Sequence, residues 1–477
     1  MALDSLAAQL TSKKFLFQSA RCREKGPPRG RAGGGRAVFH PQQSRSGAIF
    51  CRRNTGHVDS RGRVVFGYGM RASFFRGALG LATVVGGMAL LAEDWPCFRG
   101  PRHDGISRET NWTCDWPASG PPRRWTAEVG TGFSGVSVAA GRAFTMGNRR
   151  NHDTVWCLDA ESGKTLWRHT YPSKLAPRYY EGGPGATPTV DGERVYTLSK
   201  HGRLFCFATA DGRVLWEEDL PKRYGVTPPT WGFAGSPFIH NRLLLLNVGG
   251  AGMALDKLTG RPVWTSTTNI TGYATPVPCR WRKQDVVLLF GARALRGVRV
   301  SDGQTLWQFR WKSGWDVNAA DPVLWGNRVF ISSYDQGGAL LDLTPRGPKP
   351  LWQHLSMSNQ FNACVLLDGF LYGINGNTDI KLKDLRCVEF ATGRIAWKHQ
   401  GPGLGSLIAA GGRLLILSDR GELVVAEPSP QAFRPLARAR ILSGRCWTAP
   451  TLAHGRLYAR NSRGRLVCVD LRPPGRR

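Results

Sequence analysis

A short segment that ends in tryptophan recurs along most of the chain. The copies end at intervals of 42 to 49 residues, and each contains a turn followed by alternating apolar residues, as in LDAESGKTLW and VRVSDGQTLW. The terminal tryptophans are Trp125, Trp167, Trp216, Trp264, Trp307, Trp352 and Trp397. The turns contain glycine at Gly163, Gly212, Gly260, Gly303 and Gly393, and the copy that ends at Trp352 has drifted to LDLTPRGPKPLW. Such a period predicts one repeat architecture rather than several unrelated domains.

The residues inside the repeat predict strands. They alternate between apolar and polar with period two and are rich in Val, Thr, Gly and aromatic residues, which excludes helical repeats. Four short strands joined by turns occupy about 40 to 45 residues, which is the size of one β-propeller blade. We expect the turn glycines to adopt positive φ and each tryptophan to pack against the neighbouring blade.

The number of blades follows from the two ends of the repeat. Residues 448–471 contain three strand-like segments and lack the strand that ends in tryptophan, and residues 123–128 can supply it. We therefore predict an all-β propeller over residues 121–472, with eight four-stranded blades closed by this N-terminal strand. A ring of seven blades is the alternative. In either case the ring is expected to be monomeric.

The region before the ring divides into three parts. Residues 1–69 contain 13 Lys and Arg against three acids, which predicts a disordered Arg-rich segment, and an upstream-extended gene model would explain it. In residues 70–92, two arginines precede an uncharged apolar run, which predicts a signal peptide and a periplasmic or secreted protein. A basic tail ahead of an uncleaved anchor is the alternative. Residues 93–120 are predicted to be extended, and residues 473–477 form a basic tail.

The repeat resembles that of the PQQ-like β-propeller family. The spacing A-x-D-x-x-T-G-[KR]-x-x-W recurs in six copies, and the segments DWPCFRGPRHDGISRET and RCWTAPTLAHGRLYARN are similar to those of secreted PQQ-binding-like propellers of planctomycetes. The family shares its repeat with quinoprotein alcohol dehydrogenases, which hold pyrroloquinoline quinone (PQQ) and Ca²⁺ in the ring centre. It also shares the repeat with BamB, a non-catalytic scaffold of outer-membrane assembly.

The resemblance implies the fold without the dehydrogenase chemistry. The quinoproteins place a disulfide between adjacent cysteines against the quinone and use Glu, Asn and Asp as Ca²⁺ ligands. The eleven cysteines of this chain include no adjacent pair, and its ten histidines have no metal-ligand spacing. We predict a non-catalytic, BamB-like binding or scaffold propeller of the cell envelope or secreted space, without cofactor, metal site or catalytic residue. A PQQ- and Ca²⁺-dependent alcohol dehydrogenase is the alternative.

Five residues are candidates for ligand binding. Trp231, Trp315 and Trp447 are expected near the starts of innermost strands, where they would face the ring centre as stacking surfaces. Packing between blades is the alternative for each of them. Tyr180 and Glu181 belong to a glycine-containing loop between the first two blades, which is typical either of a binding loop or of a structural connection.

The formal charge of +31 adds a third functional hypothesis. Surface arginines could bind an anionic envelope polymer, although a solvated basic surface explains the same composition. In the scaffold hypothesis the partner is a protein or a small ligand that the sequence does not identify. Since the mean hydropathy is −0.28, a multi-span membrane protein is excluded.

The cysteines support two structural predictions. Four of them occupy equivalent positions in their repeats and are predicted to be small buried hydrophobic residues: Cys157, Cys206, Cys387 and Cys468. In an exported protein, Cys97 and Cys114 are the best candidates for a disulfide, because they flank a loop ahead of the ring.

Overall fold

The computed structural model describes residues 92–379 and 383–475. The predicted Arg-rich segment and nearly all of the predicted signal peptide lie outside the described residues, as do the last two residues of the basic tail. No helix in the described part of the chain is long and apolar enough to cross a membrane.

Two strands precede the first complete blade, β1 (Ile106–Ser107) and β2 (Arg123–Glu128). Blade 1 contains β3 (Ser137–Ala139), β4 (Arg142–Arg149), β5 (His152–Asp159) and β6 (Thr165–Pro172). Blade 2 contains β7 (Thr189–Asp191), β8 (Arg194–Leu198), β9 (Arg203–Ala208) and β10 (Val214–Asp219), followed by the short helix α1 (Leu220–Tyr224). Blade 3 contains β11 (Phe238–His240), β12 (Leu243–Leu246), β13 (Met253–Asp256) and β14 (Pro262–Thr265). Blade 4 contains β15 (Val277–Trp281), β16 (Gln284–Phe290), β17 (Ala294–Arg299) and β18 (Thr305–Arg310).

The second half of the ring follows a 3₁₀ turn at Gly314–Asp316. Blade 5 contains β19 (Val323–Trp325), β20 (Arg328–Ser333), β21 (Gly337–Thr344) and β22 (Gly347–His354). Blade 6 contains β23 (Val365–Leu367), β24 (Phe370–Asn375), β25 (Asp384–Glu389) and β26 (Ile395–Gln400). Blade 7 contains β27 (Ser406–Ala410), β28 (Arg413–Leu417), β29 (Glu422–Glu427) and β30 (Arg434–Arg440), and blade 8 contains β31 (Thr451–Ala453), β32 (Arg456–Arg460) and β33 (Arg465–Asp470).

The predicted eight-bladed ring and its closing strand are confirmed. In blades 1 to 7 the four strands form an antiparallel sheet in chain order, and blade 7 also carries β1 in parallel at its inner edge. First strands of neighbouring blades contact one another between β31, β3, β7 and β11 and between β23 and β27. In blade 8, β2 pairs with β33 and places Trp125 opposite Cys468. The two ends of the domain therefore share one sheet, which leaves no unpaired strand at the joint.

A buried arginine reinforces the same joint. Arg460 of blade 8 is only 1% exposed, and its guanidinium donates to the carbonyl oxygens of Met146 (2.6 Å), Gly130 (2.8 Å) and Ser134 (3.2 Å). These acceptors lie in or beside blade 1. Burial lowers the pKa of Arg460 to about 10, so the side chain stays charged at neutral pH, and these three hydrogen bonds hold blade 8 against blade 1.

The repeated tryptophans join consecutive blades, as predicted. Trp167 of blade 1 donates from Nε1 to the carbonyl oxygen of Thr209 in blade 2 (2.9 Å), and its ring lies against Gly212 of the same turn. Five other repeat tryptophans make the same bond to the next blade, at 2.7–3.2 Å: Trp125, Trp216, Trp264, Trp352 and Trp397. A neutral bond of this kind contributes about 1 kcal/mol, in addition to the buried indole surface.

The turn glycine has two roles in this contact. The five turn glycines of the repeat have φ between 71° and 75°, a conformation that residues with a Cβ rarely adopt. A Cβ added at Gly212 would also lie 2.5 Å from the ring of Trp167. The glycine of the repeat is therefore required by the backbone and by the indole of the preceding blade.

Blade 5 shows what happens when the repeat drifts. Trp307 of blade 4 should bond to the turn of blade 5, but that turn belongs to the drifted copy that ends at Trp352. The Trp307 Nε1 atom is buried without a hydrogen-bond partner. Trp307 keeps its buried position through packing alone, with a surface that is 7% exposed.

The cysteine predictions have different outcomes. The four repeated cysteines are fully buried and stand opposite tryptophans on the fourth strands, for example Cys157 opposite Trp167. The Cys97–Cys114 disulfide was a wrong prediction, since both thiols are free. Cys97 lies 3.9 Å from the ring nitrogens of His103, and Cys114 accepts from Arg413 at 3.0 Å.

We predict that Gly212→Ala destabilises the ring more than Gly192→Ala. Both glycines occupy turns with positive φ, and alanine costs about 1–2 kcal/mol there. A Cβ at Gly192 meets nothing within 4 Å, whereas one at Gly212 collides with Trp167, which adds about 1–3 kcal/mol. Urea unfolding of the two variants measures the difference, and equal destabilisation would show that the indole contact contributes nothing.

Candidate functional site

Residues 95–107, here called the channel segment, run through the centre of the ring. Trp95 exchanges two backbone hydrogen bonds with Val138 of blade 1, each of 2.8 Å, and the carbonyl oxygen of Pro96 accepts from Val190 of blade 2 at 2.8 Å. At the other end, β1 pairs in parallel with β27, the innermost strand of blade 7. The segment therefore adds its own backbone to the inner strands of the ring.

Arg99 attaches the middle of the channel segment to the far side of the ring. Its guanidinium donates to the carbonyl oxygen of Cys364, directly before β23 of blade 6, at 2.9 Å, and to that of Asp104 at 2.8 Å. The ring of His103 packs edge-on against Phe238 of blade 3, with centroids 4.8 Å apart. Since one segment touches five blades, the ring centre is filled by protein at this level.

The channel segment is more compact than the predicted extended conformation. Arg99, Gly100, His103 and Gly105 all have positive φ, between 57° and 78°, and the amide of Gly105 bonds back to the carbonyl of Arg99 at 2.9 Å. In the sequence, these residues stand out only as part of the segment DWPCFRGPRHDGISRET, which resembles the PQQ-like propeller family. The close spacing of Gly, Pro and Asp in RGPRHDG was the available signal of a turn, but the location of that turn depends on the closed ring.

A cavity of about 490 Å³ opens at one end of the ring centre, above the channel segment. Its walls come mainly from the loops that lead into the first strands of the blades, and Phe98 of the channel segment lines its inner end. Aromatic side chains dominate the walls: Phe98, Phe133, Tyr179, Tyr180, Trp231, Phe233, Tyr273, Trp315, Tyr334, Phe361 and Trp447. Concave, largely apolar sites with a few polar groups are the usual form of a ligand-binding pocket.

The structure brings four of the five candidate residues to this cavity: Trp231, Trp315, Trp447 and Tyr180. Their surroundings differ. Trp447 is packed between Phe133 (centroids 5.7 Å apart, stacked) and Phe361 (5.0 Å), and Arg445 lies 4.4 Å from its ring centroid. Trp447 is therefore part of the wall, whereas Trp315 is 74% exposed and presents its indole to solvent at the rim.

Glu181 anchors the loop between blades 1 and 2 and does not line the cavity. Its carboxylate accepts from Arg445 at 2.5 Å and from the Ser462 hydroxyl at 3.0 Å. Since Arg445 also covers the ring of Trp447, one ion pair ties the loop between blades 1 and 2 to the approach of blade 8. Glu181 is thus a positioning residue for Tyr179 and Tyr180.

Asp321 is a buried acid at the cavity that sequence reasoning missed. It is 5% exposed, and its Oδ1 accepts from the backbone amide of Thr275 at 2.8 Å. Burial raises the pKa of Asp321 to about 7, and the charge of Arg99 opposes this rise. Asp321 therefore exchanges its proton near neutral pH. The only signal in the sequence is that Asp321 directly precedes Pro322 at the start of a blade. Acids in such positions are too common for this pattern to identify Asp321 as a site residue.

The described residues that line the cavity include no histidine or cysteine. In the described part of the chain, no three His, Cys, Asp or Glu side chains converge in a way that could hold a metal ion. The two carboxylates that line the cavity are Asp321 and Asp379. The arrangement can stack flat ligands and bond polar ones.

We predict that Asp321→Asn flattens part of the pH dependence of stability. Because the folded state raises the pKa of Asp321 to about 7, it binds this proton more tightly than the unfolded chain. The free energy of unfolding therefore falls as the pH rises from about 4 to 7. Denaturant unfolding across this range should show a shallower decline for the variant, and parallel profiles for the two proteins would contradict the prediction.

Comparisons with known proteins agree on the fold. A family model described as outer membrane protein assembly factor BamB matches residues 108–221 and 151–399, which together exceed half of the chain. The crystal structure of BamB from Moraxella catarrhalis is similar with 15% identity and a TM-score of 0.55, covering 73% of this chain and 99% of that one. A search among curated proteins finds no match.

Two enzymes have the same fold. A europium-containing methanol dehydrogenase is 11% identical, with a TM-score of 0.59, over 79% of this chain and 89% of its own. The quinohemoprotein alcohol dehydrogenase from Comamonas testosteroni is 12% identical, with a TM-score of 0.56, over 79% of this chain and 80% of its own. At such identities the likeness concerns the architecture alone.

Proposed function

The chain belongs to the PQQ-like propeller family whose model is described as outer membrane protein assembly factor BamB, and from this premise we propose that it is a non-catalytic binding propeller of the cell envelope. The ligand or partner binds at the aromatic cavity. Propellers with this fold include both BamB and a methanol dehydrogenase. The proposal therefore relies on the chemistry of the cavity as well as on the family.

The cavity itself is the observation that carries this proposal. Eleven aromatic side chains surround about 490 Å³, and two of them, Tyr179 and Trp315, are more than 70% exposed at the rim. Exposed aromatic side chains beside a concave surface are the usual anchors of binding sites. The channel segment behind them gives the cavity a closed inner end, so that a ligand enters and leaves from one side.

The residues of the cavity do not fit the cofactor pair of the quinoproteins. The resemblance implies adjacent cysteines against the quinone and a set of Glu, Asn and Asp ligands for Ca²⁺. No cysteine lines this cavity, and its two carboxylates are Asp321 and Asp379. Asp321 is 5% exposed and already bonded to the amide of Thr275, so these two carboxylates do not match that ligand set.

Ion pairs on the surface reduce the positive charge that an anionic polymer would meet. Arginines of several blades lie beside carboxylates on the outer strands, as in the pairs Arg203–Glu217 (2.8 Å) and Arg299–Asp302 (2.6 Å). Pairs of this kind offset positive charge where it occurs. A polyanion-binding protein instead concentrates unpaired basic side chains on one face.

A protein that functions in the envelope must be exported, and we assign the export signal to residues 70–92. We predict that alkaline phosphatase fused after residue 120 is active, because the enzyme folds only outside the cytoplasm and this segment has the composition of a signal peptide. A matched fusion that lacks residues 70–92 should be inactive. Replacement of both Arg71 and Arg76 by Glu should reduce activity toward that level. Equal activity with and without residues 70–92 would contradict the assignment.

A second prediction separates binding from catalysis. Titration of the purified full chain with PQQ and Ca²⁺ should give no saturable quenching of tryptophan fluorescence and no dye-linked oxidation of alcohols, because the cavity lacks the ligand set. A quinoprotein dehydrogenase treated in the same way is the positive control. Saturable binding with turnover would overturn the non-catalytic proposal and make the cavity an active site.

A further inference from the structure

We propose that the ligand of the aromatic cavity is a neutral saccharide, which stacks on Tyr179 and Trp315 at the rim. This inference rests on the proposed binding function and specifies its ligand class. Three observations carry it: the conformation of the two rim residues, the mixture of polar groups between the aromatic walls, and the near balance of charge around the cavity.

The backbone at Trp315 has an unfavourable conformation that exposes the indole to solvent and that neighbouring hydrogen bonds stabilise. Its φ of 59° and that of Asp316, 55°, are both in the left-handed region, which is unfavourable for residues with a Cβ. Asp316 pairs with Arg293 through contacts of 3.1–3.2 Å, and the amide of Gly314 bonds to Asp335 at 2.7 Å. These bonds fix a turn whose effect is to leave a large apolar side chain 74% exposed.

Tyr179 repeats this arrangement in the loop between blades 1 and 2. It has a φ of 64° and is 85% exposed, and the Glu181–Arg445 ion pair anchors the same loop. The neighbouring Tyr180 packs edge-on against Phe133, with centroids 5.2 Å apart. Backbone strain of this kind persists where the surrounding contacts impose it and is concentrated at functional sites. Two anchored, exposed rings on one cavity therefore indicate a pair of stacking surfaces.

Polar groups lie between the aromatic walls. Asp321 lines the inner part of the cavity, and Asp379, Thr378 and Gln360 line it on the side of blade 6. Gln360 bonds to Thr378 through both its amide oxygen (3.0 Å) and its amide nitrogen (3.3 Å), which orients these groups. Carboxylate, amide and hydroxyl groups are donors and acceptors suited to the hydroxyl groups of a ligand.

The charge around the cavity favours a neutral ligand. Of the described lining residues, Asp321 and Asp379 are acidic and Arg178 is basic, and Arg99 lies close enough to Asp321 to oppose the rise in its pKa. The described lining therefore offers two acidic side chains and one guanidinium, so neither an anionic nor a cationic ligand meets a surface of opposite charge alone. Neither charge is selected, although the chain as a whole has a formal charge of +31.

A pyranose ring combines the properties that these observations require. One of its faces exposes C–H groups, which pack on an aromatic ring, and its edge exposes hydroxyl groups, which bond to carboxylates and amides. A volume of about 490 Å³ accommodates roughly two such rings and is too small for a folded protein surface. The end of a neutral glycan therefore enters the cavity, with its sugar rings stacked on the rim aromatics.

The test is isothermal titration of the full chain with cellotetraose, maltotetraose and N-acetylchitotetraose, with sorbitol as the acyclic control. We expect saturable binding of at least one tetrasaccharide and none of sorbitol. Trp315→Ala and Tyr179→Ala should each weaken binding about tenfold, since each removes one stacking surface. Trp325→Ala is the matched control, because Trp325 is also an exposed tryptophan (56%) but does not line this cavity. Thermal unfolding verifies that each variant is folded.

The outcomes distinguish this inference from the proposed function. Binding that is weakened about tenfold in each rim variant and unchanged in Trp325→Ala supports the saccharide. Absence of binding to all three tetrasaccharides overturns it and leaves the non-catalytic propeller intact. Binding only of an anionic glycan such as polygalacturonate, with steep salt dependence, also overturns it. Oxidation of a bound sugar with PQQ and Ca²⁺ present would instead contradict the non-catalytic function itself.

Discussion

The contact between an indole and the turn of the next blade is the interaction on which the ring depends. Each blade is a small sheet that cannot bury both of its faces alone, so its stability comes from its neighbours. The tryptophan covers the turn, donates a hydrogen bond to a backbone carbonyl and excludes any side chain from the glycine position, as Trp167 does at Gly212. Six such bonds around the ring set the angle between blades and hence the width of the centre.

Closing the ring requires separate contacts, because blade 8 is assembled from both ends of the domain. Strand β2 completes its sheet, and Arg460 bonds to carbonyl oxygens near blade 1 without any carboxylate partner. A buried guanidinium is tolerated when its donors are satisfied, and its removal would leave several carbonyls unpaired. The joint is therefore held by backbone pairing outside and by a charged hydrogen-bond network inside.

The channel segment converts this ring into a cavity with one opening. It fills the centre because its backbone pairs with β3 and β27, and it leaves Phe98 facing the space above. The loops that enter the blades then add aromatic side chains around that space. In this way the scaffold provides rigid walls, while the strained turns at Tyr179 and Trp315 place two exposed rings at its rim.

The sequence by itself determined the architecture, because the features that specify a blade are local and repeated. The spacing of the tryptophans, the positive-φ glycines and the three-stranded C-terminal repeat predicted eight blades and the closing strand at residues 123–128, which is β2. The sequence also selected Trp231, Trp315, Trp447 and Tyr180, since aromatic residues before inner strands stand out from the repeat. Their different roles were decided by neighbours distant in the chain, such as Phe133 beside Trp447.

Only the tertiary structure decided how the ring centre is used. The path of residues 95–107, the burial of Asp321, the ion pair of Glu181 with Arg445 and the free thiols of Cys97 and Cys114 all depend on contacts between parts of the chain that are far apart in sequence. No periodicity records such contacts. A repeat specifies the interaction of each unit with the next, whereas the cavity forms where all eight units meet, and its chemistry comes from the residues in which the units differ.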